Sequence, residues 1–281
     1  MIDFNKSLLE NCIQNGPLVC AHRGIASGNI PCNTIPAFNA ALLQGADMIE
    51  LDVSKSRDGE FYVFHPGMEP AHLRSKRLIS ILSDKKVSKL RFVNQDNVPT
   101  QFGVYRLDEV LNFLKGKCYI NVDKYPIDVP GISNVIRRCG VENQVIVKCN
   151  AKDKKTLEKI KNHAPDLMFM AVFHDCDEGI TDSIAADGIN CIGAEVLFKK
   201  EGVQVANKAY VDIMHEKGRV VWVNSIVYDY KVVLTAGHND DIAVAGDLEN
   251  GWGWLLDKGF DIIQTDWCGM LKNYIKTRNT F

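Results

Sequence analysis

The stretch LVCAHRGIASGNIPCNTIPAFNAALLQGADMIELDVSKSRDGEFYVFHP, residues 18–66, decides how the rest of the chain is read. It opens with LVCAH (18–22), an apolar run with the length of a buried strand. IPAFNAALLQG (35–45) follows as a helix closed by Gly45, and MIELDV (48–53) is a second strand. FYVFH (61–65) comes after an Asp58–Gly59 turn, which signals a hairpin extending that strand. Strand, helix and strand in this order argue for a parallel pair with the helix packed outside it.

Outward from this stretch the alternation continues to the end of the chain. CYINVD (118–123), QVIVK (144–148), LMFMAVF (167–173), NCIGAEV (190–196), VVWVNS (220–225) and DIIQTD (261–266) are further strand candidates. Helical patterns occupy 106–116, 152–163, 208–218, 252–259 and 271–277, and the polar segment before residue 18 is also read as helical. Such an order fits a single-domain α/β fold over 1–281, a (β/α)8 TIM barrel. The rival is an open doubly wound sheet. Its first turn is usually glycine-rich, whereas HRGIASGNIP contains neither GxGxxG nor a Walker loop. Residues 67–100 are polar, basic in places and weakly patterned, and are expected to form an excursion near the barrel mouth with solvated charges.

Composition narrows the function. Among 281 residues, 33 basic and 35 acidic side chains leave a net charge of −2. This offers no basic excess for nucleic acid. The nine cysteines are odd in number and lack zinc spacing, so reduced thiols are expected. The N-terminus lacks the pattern of a secretory signal, and no run approaches the ~20 apolar residues of a membrane span. A cytoplasmic protein without a transmembrane segment is expected; the oligomeric state is not legible.

The chemistry concentrates at strand ends. Side chains alternate along a strand, so Glu50 and Asp52 point the same way, as do Asn121 and Asp123. In a barrel the C-terminal strand ends converge on one mouth. Glu50, Asp52 and Asp123 can meet there as an oxygen-rich site for one hard cation, Mg²⁺ or Ca²⁺. His22 and His65 also close strands, and Arg23 follows His22. A phosphodiester needs its charge neutralised, its nucleophile deprotonated and its leaving oxygen protonated. A cation with Arg23 meets the first need, and two imidazoles meet the others. Trp222 and Asn224 share a strand face. Trp222 either packs against a substrate headgroup or fills the barrel.

These elements together resemble the glycerophosphodiester phosphodiesterase family. HRG, PCNT, GADMIELDV, the DG turn and the strand ending in His65 match that family's signature in order. VPT with RLDEVLNFLKGK, INVDK, VVWVN and GFDIIQTDW continue it to about residue 270. The resemblance implies a barrel, a divalent cation and hydrolysis of glycerophosphodiesters or related lysolipid headgroups, with a small-molecule phosphodiester as substrate. It also implies His22 and His65 as the acid–base pair, Arg23 on the phosphate, and Glu50, Asp52 and Asp123 as metal ligands. His22 is taken as the base and His65 as the acid.

The chain departs from the pattern in places. Cys32 replaces a glutamate and is read as a neutral substitute. Pro66 replaces an aspartate, which removes an orienting carboxylate from His65. The third ligand is Asp123 where glutamate is commoner. The usual lysine after it is Tyr125, and strict alternation points Lys124 away. Lys148, ending QVIVK, is the candidate phosphate-binding lysine; the alternative is a solvated strand end. Two rival functions follow. One is a weakened barrel that binds a phosphodiester as a sensor or scaffold. The other is a sphingomyelinase D-like phospholipid phosphodiesterase, which requires an apolar rim at the mouth.

Overall fold

The computed structural model describes residues 2–278. Eight parallel strands close into a barrel: β1 (Leu18–His22), β2 (Met48–Lys55), β6 (Tyr119–Asp123), β7 (Val145–Asn150), β8 (Met168–His174), β9 (Cys191–Leu197), β10 (Val220–Asn224) and β11 (Ile262–Thr265). β3 (Phe61–Val63), β4 (Arg91–Val93) and β5 (Pro99–Gly103) lie outside that ring. Closure comes from β1, which pairs with β2 on one side and β11 on the other. Helices flank the ring, as the alternation predicts. The sequence pattern missed Val129–Cys139, where Pro130 and Gly131 disguise a helix start. Asp128 caps it by accepting from the Gly131 amide, and proline is well suited to a first helical turn.

Alternate residues divide each strand between two environments. Val19, Ile49, Leu51, Val122, Val147 and Ala171 face the helices in the larger core. Leu18, Cys20, Met48, Tyr119, Ile146, Met170, Trp222 and Ile262 fill the barrel's lower interior. The first helix, Leu8–Asn15, plugs that end with Leu8, Leu9 and Cys12. Ser7 and Glu10 form its capping box, and the Asn11 side chain donates to the Tyr119 hydroxyl at 2.9 Å.

β2 outruns the barrel. Met48–Asp52 pair with β6, while Val53–Lys55 pair antiparallel with β3. The expected hairpin therefore exists, and it folds back over the mouth: the Phe64 amide donates to the Asp52 carbonyl. The chain then runs through short helical turns and the antiparallel β4–β5 pair. Phe64, Leu73, Ile79, Val87 and Phe92 give this segment a small core of its own.

Candidate active site at the barrel mouth

Above the apolar interior, the same inward-facing positions turn polar: His22, Glu50, Asp52, Asp123, Lys148, Glu195 and Asn224. Most of them line a cavity of about 620 Å³ with Arg23, His65 and Lys124. The register explains the convergence. His22 pairs with Glu50, Glu50 with Asn121, and Asp52 with Asp123. Ligand atoms of Glu50, Asp52 and Asp123 lie within 4.8 Å of one another.

Asp52 is the hub and is fully buried. Arg23 Nε stands 2.9 Å from its Oδ2, and the Asn33 side-chain Nδ2 donates to the same oxygen at 2.9 Å. Lys124 Nζ and His65 Nε2 approach Oδ1 at 3.5 and 3.9 Å, yet that oxygen has no hydrogen-bond partner. Burial, and then the Asp52 charge beside it, push Glu50 up to about 8. A divalent cation fits this donor set. Three carboxylate oxygen donors lie at coordinating separation, one buried oxygen lacks a partner, and one carboxyl stays protonated unless positive charge arrives.

Burial acts to raise Asp123, but Lys124 and Lys148 outweigh it and hold the carboxyl below its usual range. Lys124 was expected to point away from Asp123. Instead β6 ends at Asp123, and Lys124 takes a left-handed conformation at φ 62°. The turn swings its ammonium to 2.5 Å from Asp123 Oδ2. Arg23 is likewise left-handed at φ 58°, and its amide donates to Glu50 Oε2 at 3.0 Å. Gly24 behind it is obligatory, because an added Cβ would stand 2.7 Å from the Ala37 carbonyl carbon.

The two histidines have different partners. His22 Nδ1 lies 2.9 Å from Asp266 Oδ1. Burial opposes protonation, but the Asp266 hydrogen bond and the Glu50 charge prevail and raise its pKa. Asp266 is itself anchored, since its amide donates to Asp240 Oδ2 at 2.8 Å. His65 Nδ1 lies 2.9 Å from the Pro66 carbonyl. The carbonyl takes the place of the missing carboxylate as an orienting acceptor. Burial leads here, and the His65 pKa is lowered.

Lys148 sits at the cavity base, 2.6 Å from Glu195 Oε2 and 4.0 Å above the Trp222 ring. It is not a solvated strand end. Trp222, one of the candidates for headgroup contact, is fully buried and does not line the cavity. It stands two positions before the strand end at Asn224, so its ring lies one layer down, where it carries Lys148 and donates to Asn224 Oδ1 at 3.0 Å. Cys32 lies 3.9 Å from His72 Nδ1. Burial pushes its thiol up to about 11, so it is neutral. Sequence reasoning overlooked Asn33, although it lies in the PCNT motif.

Comparison with known proteins agrees with the barrel fold. A family model described as a domain of unknown function matches residues 169–275, from β8 through β11. A glycerophosphodiester phosphodiesterase of Caldanaerobacter subterraneus is 30% identical over 162 residues, covering 53% of this chain and 64% of that protein. The chain thus spans less than two thirds of that relative's length. A glycerophosphoryl diester phosphodiesterase from Parabacteroides distasonis superposes with a TM-score of 0.75 at 18% identity, over 93% of this chain and 87% of that one. A phosphodiesterase of Oleispira antarctica, solved with its product sn-glycerol-3-phosphate, superposes with a TM-score of 0.69 at 16% identity, over 96% of this chain and 100% of that one. Such identities speak for the barrel alone. Among the described residues no helix is long and apolar enough to cross a membrane. In part of its sequence, and in its barrel fold, this chain is similar to the glycerophosphodiester phosphodiesterases.

Proposed function

We propose that the chain hydrolyses glycerophosphodiesters, releasing glycerol phosphate and an alcohol, with a divalent cation held by Glu50, Asp52 and Asp123. One arrangement carries this reading: two histidines with unlike partners facing a three-carboxylate cluster in a single cavity. When bound, a cation there draws charge from a non-bridging phosphoryl oxygen. Arg23, Lys124 and Lys148 supply further positive charge for the phosphate.

The histidine partners assign the proton transfers. Pro66 accepts from Nδ1 of neutral His65, which leaves Nε2 free as a base. Asp266 stabilises the imidazolium of His22, which makes it the acid. This reverses the assignment suggested by sequence. An oxygen of water, or of the substrate's own hydroxyl, attacks phosphorus and passes its proton to His65. The P–O bond to the leaving alcohol breaks, and that oxygen takes a proton from His22. In the second case water then opens the cyclic diester. Both routes consume one water overall. The activity profile should be bell-shaped. Its acid limb follows His65 and lies below about 6.5, and its alkaline limb follows His22 and lies above about 6.5.

The binding-only alternative rested on Cys32 and Pro66. Asp52 rather than a residue at position 32 holds Arg23, and the Pro66 carbonyl accepts from His65, which favours catalysis over binding alone. The experiment is hydrolysis of glycerophosphocholine by the wild type, by His22→Ala and after EDTA treatment. Turnover should fall by on the order of 10²–10⁴-fold in the variant and disappear on chelation. Undiminished turnover in either arm removes this mechanism.

A further inference from the structure

Behind Asp266 stands a second carboxylate that does not line the cavity. Asp240 opens a short helix, Asp240–Val244, at the end of the loop that follows β10, and it is buried. Its Oδ1 accepts from Ser225 Oγ at 2.7 Å, from Trp252 Nε1 at 2.8 Å and from Thr265 Oγ1 at 2.8 Å. Its Oδ2 accepts from the Asp266 amide at 2.8 Å. Ser225 follows β10 and Thr265 ends β11, so one side chain gathers two neighbouring strand ends. Trp252 reaches it because Gly251 has no side chain: an added Cβ there would stand 2.6 Å from the Ala243 Cβ, so the Trp252 turn lies directly on the Asp240 helix.

Burial raises the Asp240 carboxyl above its usual range, although all four donors pull it down. A buried acid is a costly way to tie strand ends together. A tie between Ser225 and Thr265 also needs only Oδ1. The second oxygen goes to the backbone of the residue that holds His22. Asp266 is in fact fixed at two successive peptides. Its own amide donates to Asp240, and the Trp267 amide donates at 2.9 Å to Thr265 Oγ1, the hydroxyl that itself donates to Asp240. The Asp266 side chain is 45% exposed, so its direction depends on that backbone rather than on packing around it. From there Oδ1 reaches His22 Nδ1 at 2.9 Å.

We infer that Asp240 is a positioning residue for the acid step: by fixing the Asp266 backbone it sets the Asp266 carboxylate on His22 Nδ1, and so directs the other ring nitrogen at the leaving oxygen. This inference rests on the hydrolase reading above and on His22 as the acid. It has a chemical signature. When the P–O bond to choline breaks, its electron pair stays on a strongly basic oxygen, which takes the His22 proton. When the leaving group is p-nitrophenol, the oxygen departs as the stable phenolate and needs no proton; the proton of the attacking oxygen goes to His65 in both cases. A misdirected His22 therefore slows the first reaction and spares the second. Damage to the barrel or to the carboxylate cluster slows both.

The test compares glycerophosphocholine with the p-nitrophenyl ester of glycerol phosphate, which shares its glycerol arm, in the wild type and in Asp240→Ala with Mg²⁺ or Ca²⁺ present. In the variant kcat for glycerophosphocholine should fall about 10–100-fold, as for a small misplacement of a reacting group, with KM and nitrophenyl turnover kept within about twofold. Equal losses on the two substrates, or no loss on either, overturn the inference and leave the hydrolase reading standing. Wild type that hydrolyses neither substrate overturns both. Should thermal melts show that Asp240→Ala does not fold, Thr265→Val decides, since it removes the hydroxyl between Asp240 and the Trp267 amide and keeps the side-chain volume. Its loss should be smaller and again confined to glycerophosphocholine; a loss shared by both substrates, or none, overturns the inference.

Discussion

The two ends of the barrel interior are built from the same strands and obey opposite rules. At the N-terminal floor, Met48, Tyr119, Met170 and Trp222 pack against a helix and exclude water. At the C-terminal mouth, two residues further along the same strands, Glu50 and Asn224 face a cavity, with Asp123 beyond them; Glu50 pairs with the buried Asn121, and Asp52 with Asp123. The floor gains stability from area removed from water. The mouth holds five or more ionisable groups at close quarters, and its Asp52, buried among cations, carries an oxygen with no partner. The difference teaches where to expect cost and where to expect function. Substitutions at the floor should be felt in stability, and those at the mouth in chemistry.

The largest expected break in that contrast comes from Glu50→Gln. Turnover of glycerophosphocholine should fall at least about 100-fold, as for loss of a group that sets metal affinity. Yet the metal-free protein at pH 7 should keep its urea midpoint, because glutamine mimics the protonated carboxyl already present there. A large loss of stability would show that Glu50 is ionised without a cation. Next is Trp222→Ala, which should cost about 3–5 kcal/mol by denaturant unfolding. A smaller loss would mean that Lys148 and Glu195 rearrange to fill the space.

A third test follows pH. Glu50 binds its proton more tightly folded, at about 8, than at its ordinary 4.5. Between those values the folded state holds more protons than the unfolded state, so stability falls as pH rises. The contribution is fully present below 4.5 and gone above 8. Saturating Mg²⁺ or Ca²⁺ should flatten this slope, as should Glu50→Gln; thermal melts across pH 5–9 measure it. The smallest effect belongs to Pro66→Asp. A carboxylate beside His65 should raise that imidazole's pKa and move the acid limb of the activity profile upward. An unchanged limb would show that this carboxylate does not reach the ring.

Much of this was legible in sequence. Period-2 alternation and strand-to-helix rhythm sufficed to predict the barrel, the hairpin and the meeting of Glu50, Asp52 and Asp123. Alternation failed where the strand stopped. Lys124 enters the mouth because its backbone turns left-handed, and no pattern of residue types announces that turn. Trp222 shares a face with Asn224, but depth along a strand is not written in its period. The Asp266 bond to His22 joins residues 244 positions apart, which only ring closure brings together. The loop after β10 carries no periodic signal.

That ring has one seam with consequences for synthesis. β1 must pair with β11, matching Leu18 to Ile262, so the earliest strand waits for the latest. Until residue 265 has left the ribosome, β1 and β10 each present an unpaired edge, and such edges recruit other chains. A nascent chain stalled or cut before β11 should therefore depend on chaperones or be lost to aggregation, however well its first seven barrel strands have formed. The same reasoning makes residues 169–275, the span of the matched family model, half a ring rather than a domain able to stand by itself.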